Sequence, residues 1–319
     1  MITIVTAQEI RSTLGDIRIK GATCTQWIDR AIAENLIANM TVPALGIVGL
    51  GGLHDLPAYG SHSRAGTWVR DRSAVELARP EGSGPFPCFN QFNTMAQVLD
   101  GNAVSWKIYA TKVLHAGMWE PFEAIQYVRN GPDWSTNIIA PQTKILTDPG
   151  YGQLASVSWV TPSRPDSDHP QYDSDAGPSW VASVVNAIGE SSYWQNSAIV
   201  VVWDDWGGFY DNASPPQLDY RGLGIRVPCI IISPYAKQNY VSHVQYEYGS
   251  ILRFIEEVNN IPAGSIGETS AGYTDGRATS LDDAFDFTQQ PRAFTPIGSK
   301  YPMSHFLREP PSNDPVDTE

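Results

Sequence analysis

Apolar residues follow two spacings along this chain, one typical of strands and one typical of helices. Short runs rich in β-branched residues predict strands at 104–109, 157–160, 198–203 and 227–233. Apolar residues spaced three or four apart predict helices at 25–40, 94–99, 119–129, 180–189 and 246–259. Since strands alternate with helices from residue 157 onward, the pattern indicates an α/β fold with a mainly parallel central sheet flanked by helices.

Two segments lack such a pattern. Residues 41–87 are rich in glycine and predict mostly loop. Residues 263–319 are rich in Gly, Ser, Pro and Asp, which is typical of an irregular tail. A chain of 319 residues without internal repeats can bury one large core. The sequence therefore predicts a single α/β domain over residues 1–262, followed by a carboxyl-terminal tail over 263–319.

Composition and charge exclude several classes of protein. The net charge is -13 and Lys and Arg form no cluster, which argues against a nucleic-acid partner. No window of 18 apolar residues exists, so the sequence predicts no transmembrane segment. The first residues lack the basic start and apolar run of a signal peptide, so we expect a soluble protein. Three widely spaced cysteines without a Cys-x-x-Cys motif favour neither a zinc ribbon nor a dithiol redox site.

Two adjacent carboxylates, Asp204 and Asp205, directly follow the predicted strand 198–203. Neighbouring side chains of an extended segment point to opposite faces, so both can meet one centre only if the backbone turns. Gly207 and Gly208 permit such a turn. Two close carboxylates repel each other, and a divalent metal ion is the simplest compensation. The alternative is that one Asp caps a turn while the other faces water.

Two histidines lie in other loops that follow predicted strands. His169 comes after strand 157–160 within an Asp-rich loop, and His243 follows strand 227–233. In a parallel sheet these loops and the Asp204–Asp205 loop would leave the sheet at one edge. An imidazole there can donate to an anionic oxygen or act as general acid. The alternative is that each His is structural or solvated.

Several sequence blocks closely resemble the bacterial phosphoesterase family of phospholipases C and acid phosphatases. They occur in the family's order between about residues 85 and 259, at 131–134, 157–162, 167–169, 203–211, 222–228, 233–237 and 242–247. The resemblance implies an alkaline-phosphatase-like α/β fold that hydrolyses phosphate esters or phospholipids with a divalent metal ion. It implies that Asp204 and Asp205 are metal ligands and that His169 binds or protonates the phosphate, with a related role for His243.

The chain departs from that family at two points. Family members open with a strand followed by Gln-Glu-Asn-Arg, whereas residues 4–11 contain no such Asn, so the resemblance implies that the amino-terminal part is missing. The family places a Ser or Thr nucleophile before a Gly pair, and here Leu50 precedes Gly51 and Gly52. A Leu side chain cannot attack phosphorus. Family members are often secreted or periplasmic, although the first residues of this chain do not predict a signal peptide.

The residues and the resemblance together favour a metal-dependent hydrolase of phosphate esters in a truncated and impaired copy. One alternative is a non-catalytic module that binds phosphate or metal on the same fold. Another is a sulfatase-like or phosphonate-hydrolysing activity, since one fold hosts several reactions. The sequence leaves open the metal, the preferred ester and the oligomeric state.

Overall fold

The protein is described by a computed structural model over residues 2–6, 93–113, 120–172, 175–204, 206–207, 209–216, 223–267 and 275–312. The fold is built on a six-stranded sheet with the order β3-β2-β4-β1-β5-β6. The strands are β1 (Ile2–Thr6), β2 (Trp106–Tyr109), β3 (Ile138–Ile139), β4 (Val157–Val160), β5 (Ser197–Val202) and β6 (Cys229–Ile232).

The sheet is mixed. Strands β2, β3 and β4 are mutually parallel, β1 pairs antiparallel with both β4 and β5, and β6 pairs antiparallel with β5. The prediction of a mainly parallel sheet therefore holds only for the three-stranded part. Between β5 and β6 the described residues form no helix, whereas a parallel crossover usually contains one. Because β4 and β5 both run opposite to β1, their carboxyl ends lie at the same edge.

Six α-helices occur among the described residues. They are α1 (Met95–Gly101), α2 (Gln126–Asn130), α3 (Asp133–Thr136), α4 (Ala176–Gly189), α5 (Tyr248–Val258) and α6 (Met303–Phe306). Short 3-10 helices cover Pro121–Ala124, Gln142–Leu146, Asp148–Tyr151, Arg164–Asp166, Trp194–Asn196 and Asp282–Ala284. Within these ranges the helices are too short or too polar to cross a bilayer.

Strands β4 and β5 are buried on both faces of the sheet. Alternate residues of β5 enter two cores: Ala198, Val200 and Val202 pack on the side of α5, and Ile199 and Val201 pack on the side of α4. We call these the α5-side core and the α4-side core. Complete burial of β5 explains why its sequence is a continuous apolar run, without the alternation of a half-exposed strand.

One predicted element, the helix at 119–129, differs in the structure. The predicted helix 119–129 is divided into the 3-10 helix Pro121–Ala124 and α2, because Ile125 between them is extended with φ -82° and ψ 116°. The predicted helix 25–40 and loop 41–87 lie outside the described residues. The described part of the segment after residue 263 is mostly irregular, yet Leu281 and Phe285 belong to the α5-side core and Phe306 to the α4-side core.

Candidate active site

The loops that follow β4 and β5 lie against each other at the shared edge of the sheet. The indole Nε1 of Trp203 donates to Oδ2 of Asp168 at 3.2 Å. Gly207 adopts a positive φ of 58°, and a Cβ at this position would lie 3.0 Å from Cγ of Pro170. Gly207 therefore turns the chain after the strand, as the sequence predicted, and allows the close approach of the two loops.

His169 lies in the first of these loops with its ring half-buried. Its Nδ1 is buried and has no hydrogen-bond partner among the described residues. The backbone N–H of His169 donates to Oγ of Ser167 at 3.2 Å, and its ring meets Tyr172 edge-on with centroids 6.1 Å apart. A buried polar atom without a partner is uncommon, so Nδ1 is a candidate for binding a polar ligand.

Asp204 lies at the end of β5 in the second loop, and its side chain is exposed. Its backbone is fixed by α5, because the hydroxyl of Tyr248 donates to the carbonyl oxygens of Trp203 at 2.6 Å and Asp204 at 2.9 Å. The exposed carboxylate is compatible with ligand binding and equally with the alternative of a solvated Asp. Asp205 lies outside the described residues, so the geometry of the carboxylate pair stays a prediction.

The expectation that the third loop leaves the sheet at the same edge is wrong. Strand β6 is antiparallel to β5, so the chain after Ile232 leaves at the opposite edge and returns through the segment that contains His243. His243 is exposed. The preceding Ser242 donates to Oδ2 of Asp283 at 2.7 Å, which ties this segment to the chain beyond residue 275. A catalytic role for His243 stays a prediction.

An ion pair that the sequence pattern does not indicate lies at this edge. Arg226 donates from Nε and Nη2 to the carboxylate of Asp211 at 2.9–3.1 Å. Hydrogen bonds from Arg226 hold the pKa of Asp211 below its ordinary value. Because β6 runs antiparallel to β5, the residues before Cys229 lie near the end of β5. Arg226 belongs to the block 222–228, so its position in that block was the available signal.

The described side chains do not by themselves make up a complete metal site. Within the described ranges, no group of three or more His, Cys, Asp or Glu side chains could hold a metal ion. Asp204 offers a carboxylate and His169 an imidazole nitrogen at the shared edge, and both are usual ligands of divalent metals. Asp205 and the Leu50 position lie outside the described residues.

The arrangement places a half-buried imidazole and a carboxylate on two loops at the carboxyl ends of β4 and β5. In α/β proteins, ligands usually bind at this edge of the sheet. The fold and the site therefore define an α/β protein with a polar site at the carboxyl ends of its strands. The sequence model of the Phosphoesterase family matches residues 82–262, more than half of the chain, and includes both loops. The chain belongs to the phosphoesterase family.

Curated relatives carry phospholipase C names. Phospholipase C A of Mycobacterium tuberculosis is 27% identical over 236 residues, which covers 63% of this chain and 45% of that protein. Non-hemolytic phospholipase C of Burkholderia pseudomallei is 26% identical, with 52% and 31% covered. Non-specific phospholipase C6 of Arabidopsis thaliana is 23% identical, with 64% and 43% covered. The chain spans less than half the length of each of these relatives.

Proposed function

We propose that this chain is a hydrolase of phosphate esters whose site is the edge formed by the loops after β4 and β5. Family membership and the phospholipase C relatives support the reaction class. The observation that carries the proposal is the buried, unpartnered Nδ1 of His169 beside the loop of Asp204, within the region that the family model matches. Phospholipids are the substrates that the names of these relatives suggest.

His169 is proposed to act on the phosphoryl group. Transfer of a phosphoryl group places negative charge on its oxygens and on the leaving oxygen, and a positioned imidazole can donate a hydrogen bond or a proton to either. Partial burial strengthens such a bond because less water competes for the nitrogen. The hydrogen bond to Ser167 holds the backbone of His169, and the ring of Tyr172 packs edge-on against the imidazole.

Asp204 and Asp205 are proposed to hold a divalent metal ion. When bound, such an ion would neutralise charge on the phosphoryl oxygens. The exposed carboxylate of Asp204 is open to a ligand, and the contact of Gly207 with Pro170 keeps its loop beside His169. Adjacent carboxylates without a cation would repel each other, which favours a metal at this pair.

We further propose that turnover is weak. The resemblance aligns Leu50 with the hydroxyl nucleophile of the family, and Ser61, Ser63 and Thr67 lie nearby in sequence but not in a matching context. Loss of one electrostatic donor alone typically costs about 2.7–4 kcal/mol of transition-state stabilisation. A Leu at the position of the nucleophile also favours the second candidate, a module that binds phosphate or metal without turnover.

Hydrolysis of p-nitrophenyl phosphate, bis-p-nitrophenyl phosphate and p-nitrophenylphosphorylcholine tests the proposal, with magnesium, manganese, zinc or calcium added, or with chelator. We expect slow, metal-stimulated release of nitrophenol that His169→Gln lowers by about 10²-fold or more. Asp204→Asn should remove the stimulation by metal. Glu190→Gln, at an exposed position that ends α4, serves as the control.

The outcomes separate the candidates. Calorimetric binding of inorganic phosphate without any turnover would favour the binding module. Hydrolysis that is unchanged in both His169→Gln and Asp204→Asn would contradict the proposed site. Rapid turnover that Asp204→Asn abolishes would confirm the site and overturn the claim that this chain is impaired.

A further inference from the structure

The short helix α6 and the residues after it reach the turn that precedes His169. Phe306 is fully buried in the α4-side core, where its ring meets Trp180 of α4 edge-on with centroids 5.4 Å apart. His305 stacks on Tyr301 with ring centroids 4.8 Å apart. These contacts anchor a segment that begins about 40 residues beyond the family match at 82–262.

Glu309, just after α6, contacts Asp166 of the turn. Asp166 is only 3% exposed and accepts a hydrogen bond of 2.5 Å from Oγ of Ser163. The carboxyl group of Glu309 lies within hydrogen-bonding reach of the Asp166 carboxyl group. Two carboxyl groups can hydrogen-bond only if one carries a proton. Nε2 of His305 lies 3.3 Å from Oε1 of Glu309.

The same turn sets the position of His169. Arg164–Asp166 forms the 3-10 helix that follows β4, and Oγ of Ser167 donates to the carbonyl oxygen of Arg164 at 2.7 Å. That same Oγ accepts from the backbone N–H of His169 at 3.2 Å. Because the Ser167 hydroxyl links the turn to the backbone of His169, a displacement of Asp166 would also displace His169.

We propose that Glu309 is a positioning residue for His169: by sharing a proton with Asp166, it holds the turn at 163–167 in the conformation that presents the imidazole to the candidate site. The positioning of His169 for catalysis rests on the proposed function, whereas the Glu309–Asp166 contact and its effect on the turn do not. A residue outside the matched family region thus supports the site inside it.

Protonation of Glu309 makes the contact sensitive to pH. Burial and the charge of Asp166 raise the pKa of Glu309 to about 7 from its ordinary 4.5, and burial raises the pKa of Asp166. Among the described residues, the titratable groups that contact Glu309 are Asp166 from the turn and His305 from α6. As pH rises through about 7, Glu309 ionises, the two carboxylates repel each other, and the turn loosens.

Amide hydrogen exchange of the full chain tests this proposal through the peptide that covers residues 161–172. Exchange is measured at about pH 6 and about pH 8.5 and corrected for the intrinsic effect of pH. The variants are Glu309→Gln, which keeps a donor to Asp166 at every pH, Glu309→Ala, which removes it, and the exposed control Glu190→Gln. The lower pH lies about one unit below the pKa of Glu309, which is about 7, and one unit corresponds to a tenfold change in an equilibrium constant. The wild type and the control should therefore lose protection by about tenfold at the higher pH.

Glu309→Gln should keep its protection at both pH values, and Glu309→Ala should be weakly protected at both. The same rescue pattern in kcat/KM, where turnover is measurable, would extend the result to His169. The proposal is overturned if Glu309→Gln loses protection with pH as the wild type does, or if Glu309→Ala matches the wild type near pH 6. The expected exchange pattern without phosphate hydrolysis in any variant would confirm the contact and remove only the proposed function.

Discussion

Gly207 is the residue through which the two loops of the candidate site meet. Its φ of 58° lies in the left-handed region, and a Cβ at this position would lie 3.0 Å from Cγ of Pro170. A non-glycine residue would meet both a backbone strain of about 1–2 kcal/mol and a close contact with the proline ring. The distance between the loops of His169 and Asp204 therefore depends on the absence of a side chain from Gly207.

Gly207→Ala is expected to lower the free energy of unfolding by about 1–2 kcal/mol and to weaken any phosphate binding, because the added methyl group would push the loops apart. Urea denaturation and phosphate calorimetry measure the two effects. Gly101→Ala is the matched control, since no atom lies within 4 Å of a Cβ built at Gly101. Equal stability and phosphate affinity in Gly207→Ala and the wild type would show that the contact does not set the spacing.

At the scale of elements, α5 fixes the end of β5. The helix begins at Tyr248, whose ring is 2% exposed and whose hydroxyl donates to two successive carbonyl oxygens, those of Trp203 and Asp204. The amino-terminal end of α5 is itself held by Arg277, which donates to the Glu247 carboxylate at 2.6–3.2 Å. The strand end that carries Asp204 is thus held by a helix packed in the α5-side core.

Tyr248→Phe should lower the free energy of unfolding by about 1–2 kcal/mol, since it leaves two carbonyl oxygens without this donor. It should also increase hydrogen exchange in the peptide that contains Asp204. Tyr127→Phe is the control, because the exposed hydroxyl of Tyr127 bonds to Asp100 at 3.0 Å and water can replace that bond. A loss no larger than that of the control would mean that α5 does not hold the strand end.

At the scale of the whole molecule, the chain after residue 275 packs against both faces of the sheet, since it contributes residues to the α5-side core and to the α4-side core. Beside the α5-side core, Asp275 and Glu256 are completely buried carboxyl groups, and Glu256 accepts from the backbone N–H groups of Gly264 and Ser265, each at 3.0 Å. Burial and the charge of Asp275 raise the pKa of Glu256 to about 8 from 4.5. This pair and the Glu309–Asp166 pair join the carboxyl-terminal chain to opposite sides of the fold.

The Glu256–Asp275 pair predicts a stability that falls as pH rises. Between pH 4.5 and about 8, folded Glu256 keeps a proton that the unfolded chain has released, so the free energy of unfolding decreases through this window and levels off above it. Each unit of pH contributes at most about 1.36 kcal/mol per group.

Asp275→Asn should reduce this pH dependence and make the variant more stable than the wild type near pH 8, because an amide removes the second charge while its oxygen can still accept from the backbone N–H of Ile266. Urea denaturation at several pH values measures the change, with Glu190→Gln as control. Parallel pH profiles for Asp275→Asn and the wild type would contradict the assignment.

Most strands and longer helices could be predicted from the sequence because each buries a regular apolar face. The pattern predicts strand 157–160 with its observed bounds, and the apolar run 198–203 forms β5 with a shift of one residue. Strand direction could not be predicted, since alternating strands and helices indicate parallel pairing and give no sign that β1 would lie antiparallel between β4 and β5. The burial of Phe306 also escaped prediction, because its segment has no periodic pattern.

The candidate site could be predicted only in part, because its prediction depends on the direction of each strand. His169 and Asp204 were expected at one edge, and they lie there because β4 and β5 share a direction through β1. His243 was expected at that edge on the assumption that β6 is parallel, which is wrong. The contact of Glu309 with Asp166 joins residues 143 positions apart in the sequence, and no local pattern indicates it.

The most direct test of the central claim, that the edge between the His169 and Asp204 loops binds a phosphoryl group, is NMR of the full chain with labelled histidine rings. The chain has six histidines, and His169→Gln assigns the relevant signal. On titration with inorganic phosphate and magnesium or zinc, we expect the His169 ring signals to shift saturably and Asp204→Asn to weaken that response. Ring signals of His169 that stay unchanged while phosphate binds elsewhere, or while the chain hydrolyses phosphate esters, would contradict the account.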